Sequence, residues 1–452
     1  MRRRLVAYIF ILTASCWAQV HLPSAPMAEL PAIPMSASTQ GPVGSSPGLQ
    51  LSRKAAEAIA LRDNPIISVA KLEALASHQV TREVRSALWP AAYANLTAVD
   101  AQDNSRITAG GLNNPIILER AAAGATVSQL ITDFRHTSNL AASARLHAKA
   151  EDENALATKG QVLLAVDQAF YGALQAKAVL AVAKQTVESR QLLTDQVSAL
   201  TQSKLKSSLD LSFANVSLAQ AKLLQLDAEN NAQSAEANLS ALMGYDTLQN
   251  VDLIEETGTL TGPPGNPEQL ISEAFSKRPE LLAMEFQSES DEKFHKAQRD
   301  QLLPTISALG AIGDTPVGDS QLANWYGAVG VNIQVPIFNG FLFTAKTHEA
   351  SLRAQASRQR ILDLRNRISR DVRTSWLDAN TAYERLSVSQ QLLNQANQAL
   401  DLSQTRYKLG LGSIVELSQA QLQQTQAEIG NAQAGYAYRL ALSVLRYQTS
   451  GI

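Results

Sequence analysis

Trp325-Tyr-Gly-Ala-Val-Gly-Val-Asn-Ile-Gln-Val-Pro-Ile-Phe338 is the stretch on which the reading of this chain turns. Val329, Val331, Ile333, Val335 and Ile337 share one face of an extended backbone, while Ala328, Gly330, Asn332, Gln334 and Pro336 share the other. Successive side chains of a strand point to opposite faces, so the segment predicts a strand with one apolar side. Its length is close to the roughly 9 to 11 residues of a tilted membrane-spanning strand. Trp325, Tyr326, Phe338, Phe341 and Phe343 flank it as interfacial aromatics flank a barrel strand. Half of a soluble sandwich would use the same alternation.

Three other segments read as extended: residues 89–100, 121–133 and 304–313. They are rich in Ala and Thr and alternate poorly. Four strands cannot close a membrane barrel, because an open edge in hydrocarbon leaves backbone groups unpaired at several kcal/mol each. Small membrane barrels start at about eight strands. Closure therefore calls for further copies of the chain, two at least, and three would give twelve strands.

Outward from the strands, the chain repeats itself. Ala60, Pro65, Leu88 and Pro90 recur at an offset of 214 as Ala274, Pro279, Leu302 and Pro304. Farther on, Phe134 pairs with Phe338, Val166 with Val372, Ala214 with Ala420 and Leu239 with Leu445, at offsets of 204 to 206. The falling offset implies a shorter loop in the second copy between Pro304 and Phe338. The reading divides the chain into a first repeat at 50–257, a linker at 258–267 and a second repeat at 268–452. Each copy has a helix, a strand pair (89–133 and 304–338) and a long helical run broken once.

In the second copy, Val372, Ser375, Ala379, Ala382, Leu386, Ser389, Leu393, Ala396, Leu400, Ser403 and Tyr407 step by threes and fours. That is a heptad seam. As one helix, residues 341–407 would reach about 100 Å at 1.5 Å per residue. Composition agrees: of 452 residues 45% are hydrophobic but only 5% aromatic, which suits narrow seams of small residues better than a broad core. The formal net charge of −2 gives no footprint for nucleic acid.

The N-terminus reads as a secretory signal peptide over residues 1–18: Arg2, Arg3 and Arg4, an apolar run to Leu12, then small residues. The only cysteine, Cys16, lies inside it. Cleavage after Ala18 removes Cys16; cleavage before it leaves Cys16 as a lipid-bearing first residue, although Thr13 stands where a lipoprotein signal prefers Leu. Residues 19–49 carry prolines from Pro23 to Pro47 and read as an extended arm. No later stretch approaches the roughly 20 apolar residues of a spanning helix.

The order of these parts, with Arg406-Tyr-Lys-Leu-Gly-Leu-Gly-Ser-Ile-Val-Glu-Leu-Ser-Gln-Ala-Gln421, resembles the TolC-like outer-membrane efflux family over residues 50–452. Thr201-Gln-Ser-Lys-Leu-Lys-Ser-Ser-Leu-Asp-Leu-Ser-Phe-Ala214 is the first copy's version, without the glycines. The resemblance implies a mainly α protein with a β-barrel part: a trimer, a twelve-strand barrel in the bacterial outer membrane and a periplasmic coiled-coil tunnel narrowing to a gate. It places gate or selectivity residues at Asp210, Glu416 and Gln419, and adaptor-docking tips at Lys204, Ser207, Tyr407, Gly410, Gly412 and Ser413. Gly412 stands where some relatives carry a basic residue that could tether Asp210.

The function this implies is a passive exit duct for small molecules or toxic compounds, fed by a periplasmic adaptor and an inner-membrane pump. The duct of a protein secretion system is the nearest alternative, and a periplasmic coiled-coil scaffold is the rival from another class. Catalysis and cofactors are not expected. The six histidines have no ligand spacing, Ser203-Lys-Leu-Lys206 lacks the companion motifs of a Ser-x-x-Lys nucleophile, and no glycine-rich phosphate loop is present.

Overall fold

The structure is a computed structural model that describes residues 49–100, 106–109, 112–116, 120–247, 251–255, 260–317 and 323–450. The leader with Cys16, and the Pro-rich arm up to residue 48, lie outside the described residues. The elements of the first half are β1 (Leu49–Leu51), α1 (Arg53–Asp63), α2 (Pro65–Ser86), β2 (Ala91–Val99), β3 (Arg106–Ala109), β4 (Leu112–Ile116), β5 (Arg120–Thr132), α3 (His136–Gln202) and α4 (Ser208–Leu242). β6 (Val251–Leu253) closes the first half, and the elements of the second are α5 (Pro267–Lys277), α6 (Pro279–Asp300), β7 (Thr305–Val317), β8 (Trp325–Gln334), α7 (Leu342–Lys408) and α8 (Ile414–Ser450).

Each half was expected to open on one helix and instead opens on two, broken at Pro65 and Pro279. A proline pushes the residue before it out of helical backbone, and Asn64 and Arg278 are extended, with ψ of 121° and 120°. The ring then sits at the first position of the next helix, where an amide has no intrahelical partner to lose. The Asn64 side chain caps α2 by accepting from the Ile66 amide at 2.9 Å. The resulting lengths match between the halves: α1 and α5 have 11 residues each, and α2 and α6 have 22 each.

One antiparallel sheet has the order β2-β5-β7-β8. Strand ends differ from the sequence reading: β7 continues to Val317, and β8 stops at Gln334, short of Pro336, which has no amide to donate to a ladder. The small β3–β4 ladder in the β2–β5 connection was not foreseen; β7 and β8 are joined by a shorter connection.

Register supplies what the single strands lack. Ile333 lies opposite Ile306, Val329 opposite Gly310, Ile312 opposite Ala125 and Ala123 opposite Leu96. One face thus gathers Leu96, Val127, Ile312, Val329, Val331 and Ile333, all of them exposed, with Val329 at 94%. The other gathers Asn95, Thr97, Thr126, Ser128, Ser307 and Asn332. Small Ala and Gly residues dilute the alternation within three of the strands, but pairing aligns these six apolar residues on one side, while Tyr93, Leu309 and Tyr326 fall on the other.

α3 and α7 have 67 residues each, about 100 Å of helix. Both start from a left-handed residue, Arg135 (φ 80°) and Phe341 (φ 64°), which sets the offset at 206. Phe134 therefore corresponds to Gly340, also at positive φ, and not to Phe338. Every position of the heptad seam from Val372 to Tyr407 is buried or half-buried. Two clusters anchor the short helices to the long ones: Ala60, Val166 and Phe170 in the first half, and Ala274, Ile368 and Val372 in the second. Ala60 and Ala274 are both fully buried, as are Val166 and Val372, so the repeated residues hold matching core positions.

Candidate functional site at the hairpin tips

The α3–α4 and α7–α8 hairpins end side by side, joined by a cluster of Val197, Ala214, Tyr407, Ile414 and Leu417. The two turns are built alike. In the second, Gly410 is left-handed (φ 75°), Leu411 N–H donates to the Arg406 carbonyl at 2.8 Å, and Gly410 N–H donates to Tyr407 at 3.2 Å. That pair of bonds is a Schellman cap, which ends a helix on a residue of positive φ. In the first turn Lys204 (φ 60°) takes Gly410's place, with Leu205 bonded to Leu200 at 2.8 Å and Lys204 to Thr201 at 3.0 Å. Losing the glycine thus leaves the turn intact and forces a lysine into a conformation costing about 1–2 kcal/mol.

Each following helix opens on a serine cap. Ser207 Oγ accepts from the Asp210 amide at 3.1 Å while the Asp210 carboxylate accepts from the Ser207 amide at 3.2 Å, a complete capping box. Ser413 Oγ accepts from the Glu416 amide at 3.1 Å. The Glu416 carboxylate turns instead to Arg406, whose Nε donates to it at 3.0 Å. Gly412 permits that pair: a Cβ there would lie 3.2 Å from Arg406 Cβ and 3.3 Å from Glu416 Oε2. A basic side chain at 412 and the Arg406–Glu416 pair therefore compete for one space.

Lys204, Ser207, Gly410 and Ser413 are exposed at the tips, and Gly412 is half-exposed. Tyr407 is not on that surface. It is 5% exposed, with Lys206 Nζ over its ring at 4.0 Å. Burial raises its phenol pKa and the nearby Asp210 charge raises it further, so the phenol stays protonated. Tyr407 and Asp210, drawn from different hairpins, are thus brought close, while Gln419 is exposed on α8 one turn beyond Glu416.

Two arginines were missed by sequence reading. Arg406, the first residue of the turn motif, is one, held by Glu416. Arg190, on α3, is 5% exposed, and its Nη2 donates to the Gln421 carbonyl at 2.9 Å and to Thr425 Oγ1 at 3.2 Å, tying α3 to α8. A polar residue at seam spacing within a helix was the available signal. Among the described residues no three His, Cys, Asp or Glu side chains gather as metal ligands, and no helix is long and apolar enough to cross a membrane.

Comparison with known proteins agrees with this architecture. The model of the family described as outer membrane efflux protein matches residues 58–245 and 270–448, one match in each half. The chain is 22% identical to outer membrane protein TolC of Escherichia coli, with 82% of this chain and 77% of that one aligned. It is also 22% identical to the outer membrane efflux protein BepC of Brucella suis, covering 69% and 68%. The fold superposes on the Campylobacter jejuni CmeC outer membrane channel with a TM-score of 0.78, at 15% identity over 88% of this chain and 85% of that one. With matches that span both halves, the chain belongs to the outer membrane efflux protein family, as a TolC-like channel of the outer membrane.

Proposed function

We propose that three copies of the chain form a passive exit duct, in which the sheets close a twelve-strand barrel and α3, α4, α7 and α8 build a tunnel. The observation that carries this reading is the sheet β2-β5-β7-β8, whose outer strands have free edges among the described residues and whose one face is exposed and apolar. Antiparallel order puts β8 of one copy antiparallel to β2 of the next, so closure removes both edges. The exposed stripe Ile66, Val69, Leu72 and Leu75 on α2 gives a neighbouring copy apolar surface to cover below the barrel. The two halves are copies of one unit, 50–257 and 268–452, so the tunnel has six quasi-equivalent hairpins.

In this arrangement the tips Lys204, Ser207, Gly410, Gly412 and Ser413 dock a periplasmic adaptor, which hands over small molecules from an inner-membrane pump. Glu416 repeats around the three-fold axis as a ring, with Asp210 and Gln419 nearby. The test is electrical. Protein purified from the outer membrane and reconstituted in planar bilayers should give discrete conductance steps that divalent cations block. A reconstituted preparation without ion conductance contradicts the duct.

A further inference from the structure

We infer that the groove between α4 and α8, floored by Arg190, is a binding subsite for small amphipathic organic anions. The inference rests on the duct reading only in placing such anions among the solutes conveyed. Between α4 and α8 near the tips lies a cavity of about 560 Å³, within the range of small-ligand sites. Phe213, Val216, Leu422 and Ile429 line it, and the first three are exposed. No carboxylate lines it.

The floor is unusual in its charge. Arg190 is nine-tenths buried, and it makes no ion pair among the described residues; its bonds to Gln421 and Thr425 engage one nitrogen and leave further guanidinium donors without a partner. A buried cation is costly unless it is paired, and the one charge that acts on Arg190, that of Glu428, makes no direct ion pair with it among the described residues. Burial accordingly lowers the Arg190 pKa to about 10, with the Glu428 charge only partly opposing this. Glu428 also accepts from Gln424. A second polar group of the lining, Ser418 Oγ, is buried with no partner. Organic anions with an apolar body answer each feature. The acid head accepts from Arg190 in the charge-assisted geometry that guanidinium favours, Ser418 donates to it, and the body covers Phe213 and Leu422.

The experiment uses the full protein purified in detergent, with 4-phenylbutanoate as probe and 4-phenylbutanamide as its uncharged counterpart. Ligand-observed saturation-transfer NMR and equilibrium dialysis, each corrected against protein-free micelles, give affinities. Phenylbutanoate should bind at least tenfold more tightly than the amide. Arg190→Gln should bring the two together, and Leu422→Glu, which keeps Arg190 and changes only an exposed wall position, should abolish binding of the acid. Equal binding of acid and amide, or binding indifferent to Leu422→Glu, overturns the inference, as does a groove that binds neither because a neighbouring copy fills it. Bilayer conductance of the same preparations keeps the two questions apart: channels that conduct but bind no anion sink this inference alone.

Discussion

Arg406 Nε lies 3.0 Å from Glu416 Oε1, across the turn that Gly410 makes possible. In the proposed trimer, a ring of Glu416 side chains would therefore be partly neutralised within each α7–α8 hairpin. Both groups are well exposed, so the pair is worth only about 0.2–1 kcal/mol to stability, and its consequence is electrostatic. Arg406→Ala should strengthen divalent block of single-channel current by freeing three carboxylates, and Glu416→Ala should weaken block and cation preference. Gln419→Asp should strengthen block. Block that none of these changes alters would place the constriction elsewhere.

The turns give a matched pair of backbone tests. Gly410→Val puts a β-branched residue at φ 75°, a strain of about 1–3 kcal/mol, and should abolish export while leaving membrane insertion intact. Lys204→Gly relieves the same strain in the other turn and should stabilise the protein by about 1 kcal/mol, read as a higher midpoint in chemical denaturation. An unchanged or lowered midpoint would mean that Lys204 gains more from its contacts than its backbone costs.

On the sheet, Ile333 sits opposite Ile306 on the apolar face. Ile333→Arg should cost about 2–4 kcal/mol if that face meets lipid, seen as lost assembly in the outer membrane, whereas Asn332→Arg, one residue along on the opposite face, should be tolerated. Equal tolerance of both would reverse or void the face assignment.

Acid dependence should come from Glu57. Its carboxyl is raised from 4.5 to about 7, chiefly by burial, then by its hydrogen bond with Asp167, with the Arg53 guanidinium opposing. A carboxyl whose folded pKa exceeds its unfolded value favours the protonated native state, so stability declines as pH rises from about 4.5 to about 7 and is flat above. Glu57→Gln should remove that decline, so that the variant gains on the wild type as pH rises from about 4.5 to about 7. A wild-type midpoint independent of pH over this window would contradict the assignment.

The long helices, the heptad seam and the fourth strand were legible because each follows one period over many residues. The helix break at Pro65 is legible as well, because a proline pushes the residue before it out of helical backbone. The apolar face of the sheet was not legible, because Leu96, Ile312 and Val329 come together only through pairing register. At the tips, motif resemblance located the turns but not their chemistry. It set Tyr407 on the surface, where the structure buries it, and passed over Arg406 and Arg190, whose roles depend on partners 10 and 231 residues away.

The account depends most on closure by three copies. Native mass spectrometry of protein extracted from the outer-membrane fraction measures this directly. Three copies per particle, retained when the detergent is exchanged, is the predicted result; a monomer, or protein recovered only from the soluble periplasm, would contradict it.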